Sequence, residues 1–143
     1  MSKTGYILTD MDETIAMLRA RGIQPTQQRV AVLRHILKVM EHLSADEVLA
    51  QVRRECPMIS RATVYNTLNL LVRKDLLRTQ ILKEGTVVFD RNVSPHHHFI
   101  DEASGRIYDI PWSALKVSGE KSLEGYEIRE YQVVMRGRRR GQK

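Results

Sequence analysis

Three of the five histidines in this 143-residue chain stand in one run, Asp90-Arg91-Asn92-Val93-Ser94-Pro95-His96-His97-His98-Phe99-Ile100-Asp101, with a carboxylate at either end. Imidazoles and carboxylates gathered this closely are the donor types of a divalent-cation site. From His96 to Asp101 the segment reads as a β-strand, on which successive side chains point to opposite faces. His96 and His98 therefore share one face, while His97 takes the other, toward solvent or a separate site. Two imidazoles on one face need only a carboxylate or two to complete a coordination sphere.

The rest of the composition narrows the chemistry. A single cysteine, Cys56, excludes an intramolecular disulfide framework and a thiolate-rich zinc site within one chain. No general base, nucleophile or substrate-pocket motif accompanies the histidines, so an enzyme is not expected. Formal net charge is +6, unevenly spread: residues 1–83 hold 13 Lys/Arg against 8 Asp/Glu, residues 84–135 hold 5 against 9, and the last eight residues add five positive charges through Arg136, Arg138, Arg139, Arg140 and Lys143. A basic front half and an acidic, histidine-bearing second half suggest polyanion binding in one and cation binding in the other. A metal storage or delivery protein would not need that basic half. No apolar run approaches the roughly 18 residues of a membrane span, and Met1 to Tyr6 lack the apolar core of a secretory signal. The expected compartment is the cytoplasm, with no membrane partner.

Helix signals crowd the basic half. Asp10-Met11-Asp12-Glu13 reads as a capping box opening a short amphipathic helix, with Ile15 and Leu18 on one face and Gly22 as its stop. Pro25-Thr26 opens a second helix, along which Val30, Leu33, Ile36, Leu37 and Met40 recur at helical spacing. Ser44-Ala45-Asp46-Glu47 is another capping box with Val48, Leu49 and Val52 behind it, closed by Cys56-Pro57. Ser60 caps a fourth helix whose buried stripe is Val64, Leu68 and Leu71. The period then changes: Leu77 to Leu82 and Thr86 to Asp90 read as strands joined at Lys83-Glu84-Gly85.

Helices followed by a small hairpin describe a winged helix-turn-helix. Its second helix leaves Arg61, Thr63, Tyr65 and Asn66 near an exposed N-terminal end, residue types that reach base edges and phosphates in a major groove. Arg21 and Arg29 of the same basic half join them as candidate DNA contacts. In the second half, His96 to Asp101, Arg106 to Ile110 and Glu127 to Met135 read as strands, with Pro111 to Glu124 a loop or short helix. Three strands make a marginal core alone, so a second copy of the chain is the expected partner. A homodimer also suits double-stranded DNA, because two recognition helices can read the halves of a palindromic operator. The fold class is thus α+β, an N-terminal winged helix-turn-helix followed by a small α/β dimerisation domain. Its expected divisions are 1–90 for DNA binding, 91–95 for a hinge, 96–136 for dimerisation and metal sensing, and 137–143 for a basic tail.

Gly22-Ile-Gln-Pro-Thr-Gln-Gln-Arg29, His42-Leu-Ser-Ala-Asp46, Arg61-Ala-Thr-Val-Tyr65-Asn66-Thr-Leu and the triple histidine follow the order and spacing of the ferric uptake regulator (Fur) superfamily, which the chain resembles over nearly its whole length. That resemblance implies a metal-dependent DNA-binding regulator, a repressor by its relatives' habit. It implies a regulatory metal site of His42, Asp90, His96, His98 and Asp109, a sulfur-free set suited to Fe²⁺ or Mn²⁺ that would also accept Zn²⁺. Many members hold a structural zinc with paired Cys-x-x-Cys motifs. Asp101 and Ser104 stand at the first pair here and the second is missing, so no structural four-cysteine zinc is expected. Asp101 and Glu102 read as a charged strand end.

Aspartates at 90 and 109, and Asn66 after Thr-Val-Tyr, resemble the peroxide-regulator branch (PerR), which implies peroxide sensing through iron-catalysed oxidation of a ligand histidine, His42 or His96. Phe89-Asp90, the Asn-Val-Ser before the histidines, Tyr108-Asp-Ile-Pro111 and the cysteine-free, Arg-rich ending also resemble the iron-response regulators (Irr). That likeness implies an iron- or haem-responsive alternative, with His97 as a second metal or haem ligand.

Overall fold

The computed structural model describes residues 3–39, 42–83 and 85–141, and the chain divides into two compact units, 1–93 and 94–143. The first contains α1 (Lys3–Ala20), α2 (Gln27–Lys38), β1 (Leu43–Ser44), α3 (Ala45–Val52), α4 (Arg61–Arg73), β2 (Arg78–Lys83) and β3 (Thr86–Asp90). The second contains β4 (His96–Asp101), β5 (Ile107–Pro111), two 3₁₀ turns at Trp112–Ala114 and Glu120–Ser122, and β6 (Val134–Gly137).

Helices α2, α3 and α4 begin where their caps predict. Thr26 accepts the Arg29 N–H at the head of α2, Ser60 accepts the Thr63 N–H at the head of α4, and Ser44 with Glu47 makes a reciprocal capping box on α3. Such a cap contributes about 1 kcal/mol. Leu18, Leu33, Val48, Val52, Leu68, Leu71 and Leu77 meet in one core, so α4 is fixed by its apolar stripe and presents the opposite face outward. Helix α1 ends as Gly22 predicts. At φ +71° Gly22 gives its N–H to the Arg19 carbonyl at 3.0 Å, while the Ile23 N–H reaches the Leu18 carbonyl at 2.9 Å, closing the last turn with Ile23 packed beside Leu18.

The strands β2 and β5 each lie one residue later than expected, at Arg78–Lys83 and Ile107–Pro111, and larger differences occur among the helices and at β1. Helix α1 does not start at Asp10 but runs through it from Lys3. Asp10 sits mid-helix, where its carbonyl accepts from the Thr14 hydroxyl at 2.7 Å and its carboxylate accepts from Arg34 Nε at 3.0 Å. Helix α3 ends at Val52 rather than at Cys56-Pro57, and hydrogen-bonded turns carry the chain to Cys56, which packs partly buried against the core. The two-residue strand β1 was not anticipated; it pairs antiparallel with β3, Leu43 opposite Phe89 and Ser44 opposite Val88. Two residues are too short for a period-2 pattern, and Ser44 also serves as a helix cap. The sheet order is β1-β3-β2, with Gly85 at φ +77° in the β2–β3 turn. Met40 of the α2 stripe, Glu84 of that turn and Lys143 of the tail lie outside the described residues.

In the second unit β4 is central, antiparallel to β5 and parallel to β6. The strand expected from Glu127 to Met135 forms only from Val134. Just before it the Val133 N–H bonds to the His97 ring, at Nδ1, 2.9 Å away, while the Val133 carbonyl accepts the His98 N–H at 3.0 Å. Among the described residues of this unit Ile100 is the one buried aliphatic side chain, while Leu123, Tyr126 and Ile128 are exposed. No described helix is long and apolar enough to cross a membrane.

Candidate metal centre and nucleic-acid interface

In the first unit, the β1–β3 register sets His42 beside Asp90, one step beyond the Leu43–Phe89 pair. His42 Nε2 lies 3.1 Å from Asp90 Oδ2, and both side chains are 5% exposed. The other carboxylate oxygen, Oδ1, accepts the Asn92 N–H at 2.9 Å, which fixes the plane of the carboxylate. The result is a nitrogen and an oxygen donor side by side.

In the second unit, the pleat of β4 turns His96 and His98 to one face, their Nε2 atoms 3.0 Å apart. Asp109 is the cross-strand partner of His98 on β5. Its Oδ1 stands 3.4 Å from His96 Nε2 and 3.6 Å from His98 Nε2. His96 Nδ1 lies 2.6 Å from the Ser94 carbonyl. A carbonyl can only accept, so Nδ1 carries the proton and donates, which leaves the Nε2 lone pair of the neutral ring as a ligand atom. Both imidazoles are buried, whereas the Asp109 side chain is 36% exposed. Two nitrogens and a carboxylate oxygen at these separations can converge on a cation.

His97 points the other way but is not solvent-exposed: its relative exposure is 1%. Its ring stacks on Trp112 at 4.6 Å and 13°, and Tyr131 lies against Trp112 at 4.8 Å. Nδ1 is taken by the Val133 N–H. Asp101, expected as a charged strand end, is also fully buried. It accepts from the Ser104 hydroxyl at 2.8 Å and the Ala103 N–H at 3.0 Å, and its carbonyl accepts the Gly105 N–H at 2.7 Å. Hydrogen bonds from its own residues close this tight turn. The Ser104 hydroxyl, foremost, and the Ala103 and Ser104 N–H groups hold the Asp101 carboxyl below its ordinary value despite its burial.

At the head of α4, Arg61, Tyr65 and Asn66 are exposed and Thr63 is half-buried. Thr63 is drawn into the cap, where its Oγ1 accepts from the Ser60 hydroxyl at 2.9 Å. Arg61 and Tyr65 converge on Asp46 of α3: the Arg61 guanidinium pairs with the Asp46 carboxylate, and the Tyr65 hydroxyl donates to the same Oδ1 at 3.0 Å. The Arg61 bond, then the Tyr65 bond, holds the Asp46 carboxyl below the usual range, and the partnership raises Arg61 in turn. Asp46 is the residue that sequence reasoning passed over. It was quoted within a motif, but nothing in the spacing says that α3 and α4 bring it to Arg61. Arg21 and Arg29 are tied to backbone carbonyls, Arg21 to Lys74 at 2.8 Å and Arg29 to Gln24 at 3.1 Å.

Comparison with known proteins fits this geometry. The family model described as the ferric uptake regulator family matches residues 20–136. A peroxide-responsive repressor PerR of Staphylococcus aureus (strain Mu50 / ATCC 700699) is 34% identical over 106 residues, 74% of this chain and 72% of that one. A ferric uptake regulator from Pseudomonas aeruginosa solved with manganese aligns with a TM-score of 0.65 at 22% identity, over 87% of this chain and 96% of that one. A zinc uptake regulator solved with zinc and DNA aligns with a TM-score of 0.68 at 18% identity, over 98% and 95%. These structures share this chain's fold, a helical part followed by a sheet-bearing part.

The Asp101 turn yields a pH prediction. A carboxyl whose folded pKa is depressed contributes stability above its unfolded pKa, and that contribution is lost as pH falls through the lower folded value. Ser104→Ala returns Asp101 toward its ordinary value, so acid unfolding followed by circular dichroism should begin at a higher pH than in the parent. An unchanged acid limb would show that the hydroxyl does not hold the carboxylate.

Proposed function

The chain belongs to the ferric uptake regulator family, and from that premise we propose that it is a cytoplasmic, metal-dependent DNA-binding repressor acting as a homodimer on double-stranded DNA. The observation that carries the reading is the pair of sulfur-free half-sites, His42 with Asp90 in the first unit and His96, His98 and Asp109 in the second. The proposed regulatory centre takes one divalent ion from all five. The donor set fits: three imidazole nitrogens and two carboxylates suit Fe²⁺ or Mn²⁺ and accept Zn²⁺. No Cys₄ structural zinc can form in a chain with one cysteine.

Residues of the chain divide the work. His42 and Asp90 commit the DNA-binding unit to the ion, and His96, His98 and Asp109 commit the second unit. Binding then selects the arrangement in which all five donors are satisfied, and this differential affinity is the switch. Helix α4 supplies Arg61, Thr63, Tyr65 and Asn66 to a palindromic operator, with Arg21 and Arg29 as flanking backbone contacts. The exposed Leu123, Tyr126 and Ile128 on a unit with a thin core support pairing with a second copy. His97, stacked and hydrogen-bonded, is read as packing that fixes the strand rather than as a second metal or haem ligand.

Resemblance to the S. aureus repressor favours peroxide as the signal. Fe²⁺ held by these residues would supply the reducing electron for hydrogen peroxide, and His42, His96 and His98 would be the imidazoles at risk. Of these, His96 has one ring nitrogen on the Ser94 carbonyl, which orients its other nitrogen toward His98.

His42→Ala and Asp109→Ala are expected to leave a folded dimer that no longer gains DNA affinity with Mn²⁺, measured by fluorescence anisotropy with and without a chelator. Unchanged Mn²⁺-dependent binding would sink the assignment. Protein loaded anaerobically with Fe²⁺ and given a modest amount of peroxide should show an added oxygen on the His42 or His96 peptide by mass spectrometry, absent with Mn²⁺. An unmodified pair of peptides would remove the peroxide reading and leave an iron- or manganese-responsive repressor.

A further inference from the structure

The head of α4 carries a contact that opposes a polyanion. Asp46 lies on the first turn of α3, its side chain 67% exposed, and its Oδ1 receives both the Arg61 guanidinium and the Tyr65 hydroxyl, the latter at 3.0 Å. Arg61 also lies over the Tyr65 ring, 5.8 Å from its centroid. All three groups are at the surface, where a DNA phosphate would otherwise be the natural acceptor for the same two donors. A carboxylate there is repelled by the backbone of any duplex, whatever its sequence.

We propose that Asp46 sets sequence specificity: it occupies Arg61 and Tyr65 in place of a DNA phosphate, and holds Arg61 for a base edge. The inference rests on the DNA-binding reading of α4. The guanidinium has five N–H donors in a planar fork, and only Nη1 is engaged by Asp46 and Tyr65. The remaining edge can address the N7 and O6 acceptors of a guanine without releasing Asp46. Random DNA offers no such match, and its phosphates must compete with Asp46 for Nη1 and for the Tyr65 hydroxyl while facing its negative charge. The pairing thus weakens indiscriminate binding more than operator binding, and specificity is that difference. The low proton affinity of Asp46 and the raised one of Arg61 keep both partners charged under working conditions.

The test uses the full chain loaded with Mn²⁺, a duplex that this protein itself selects from a random pool, and a scrambled duplex of the same composition. Asp46→Asn keeps the shape and removes the charge. It should bind the scrambled duplex severalfold more tightly, with a salt dependence steeper by about 0.9 in log–log slope as Arg61 gains a phosphate. Binding to the selected duplex should gain less or fall, so the ratio of the two affinities drops severalfold. Asp46→Ser, with another good polar residue for a first helical turn, should act the same way, and neither change should alter the slope in an Arg61→Gln background. An unchanged or increased ratio in both variants, with the parent still discriminating, overturns the inference alone. A Mn²⁺-loaded parent that selects no duplex overturns the proposed function and this inference with it.

Discussion

The histidine-rich half of the proposed metal centre depends on the pleat of one strand. Along β4 the side chains alternate by geometry, so of three consecutive imidazoles two share a face and one does not. His96 and His98 bring their Nε2 atoms to 3.0 Å, a separation at which two neutral nitrogens either share a proton or share a cation. His97, forced to the opposite face, is buried against Trp112 and takes the Val133 N–H. The third histidine thus locks the strand that presents the other two. A one-residue slip of the β4–β5 register would exchange these roles and carry Asp109 away from His98.

The same economy appears in the first unit, where the two-residue strand β1 brings His42 against Asp90. Neither half-site alone is a switch. An ion held by His96, His98 and Asp109 would bind with the same strength whatever the DNA-binding unit did, and a ligand with equal affinity for two states shifts nothing. In the proposed centre two further donors from the other unit would give the ion a preference, and a preference of roughly 100-fold is about 2.7 kcal/mol. In the proposed mechanism that preference is what metal contributes to DNA binding.

Much of this was legible in the residues. The capping serines and threonine, the apolar stripes and the triple histidine each have a local cause, so their elements fall close to expectation. What could not be read are contacts that depend on tertiary neighbours. Asp10 looked like a cap because its neighbours fit a capping box, yet the helix passes through it and the carboxylate serves Arg34 instead. Residues 127–133 read as strand, yet the strand forms only from Val134, and the Val133 N–H goes to the His97 ring. Asp46 shows in the sequence only as a first-turn acid of α3; its contacts with Arg61 and Tyr65 come from the packing of α3 against α4. Asp101 shows the converse, a polar residue that looked like surface and is buried because its own turn satisfies it.

The central claim is that one ion and DNA are linked through the five donors, and linkage between two binding events is reciprocal. The most direct measurement is therefore the Mn²⁺ dissociation constant, followed by the electron paramagnetic resonance of free Mn²⁺, with and without a saturating selected duplex. The account predicts that DNA tightens Mn²⁺ by the same factor by which saturating Mn²⁺ tightens DNA. A Mn²⁺ affinity that is indifferent to DNA would contradict it.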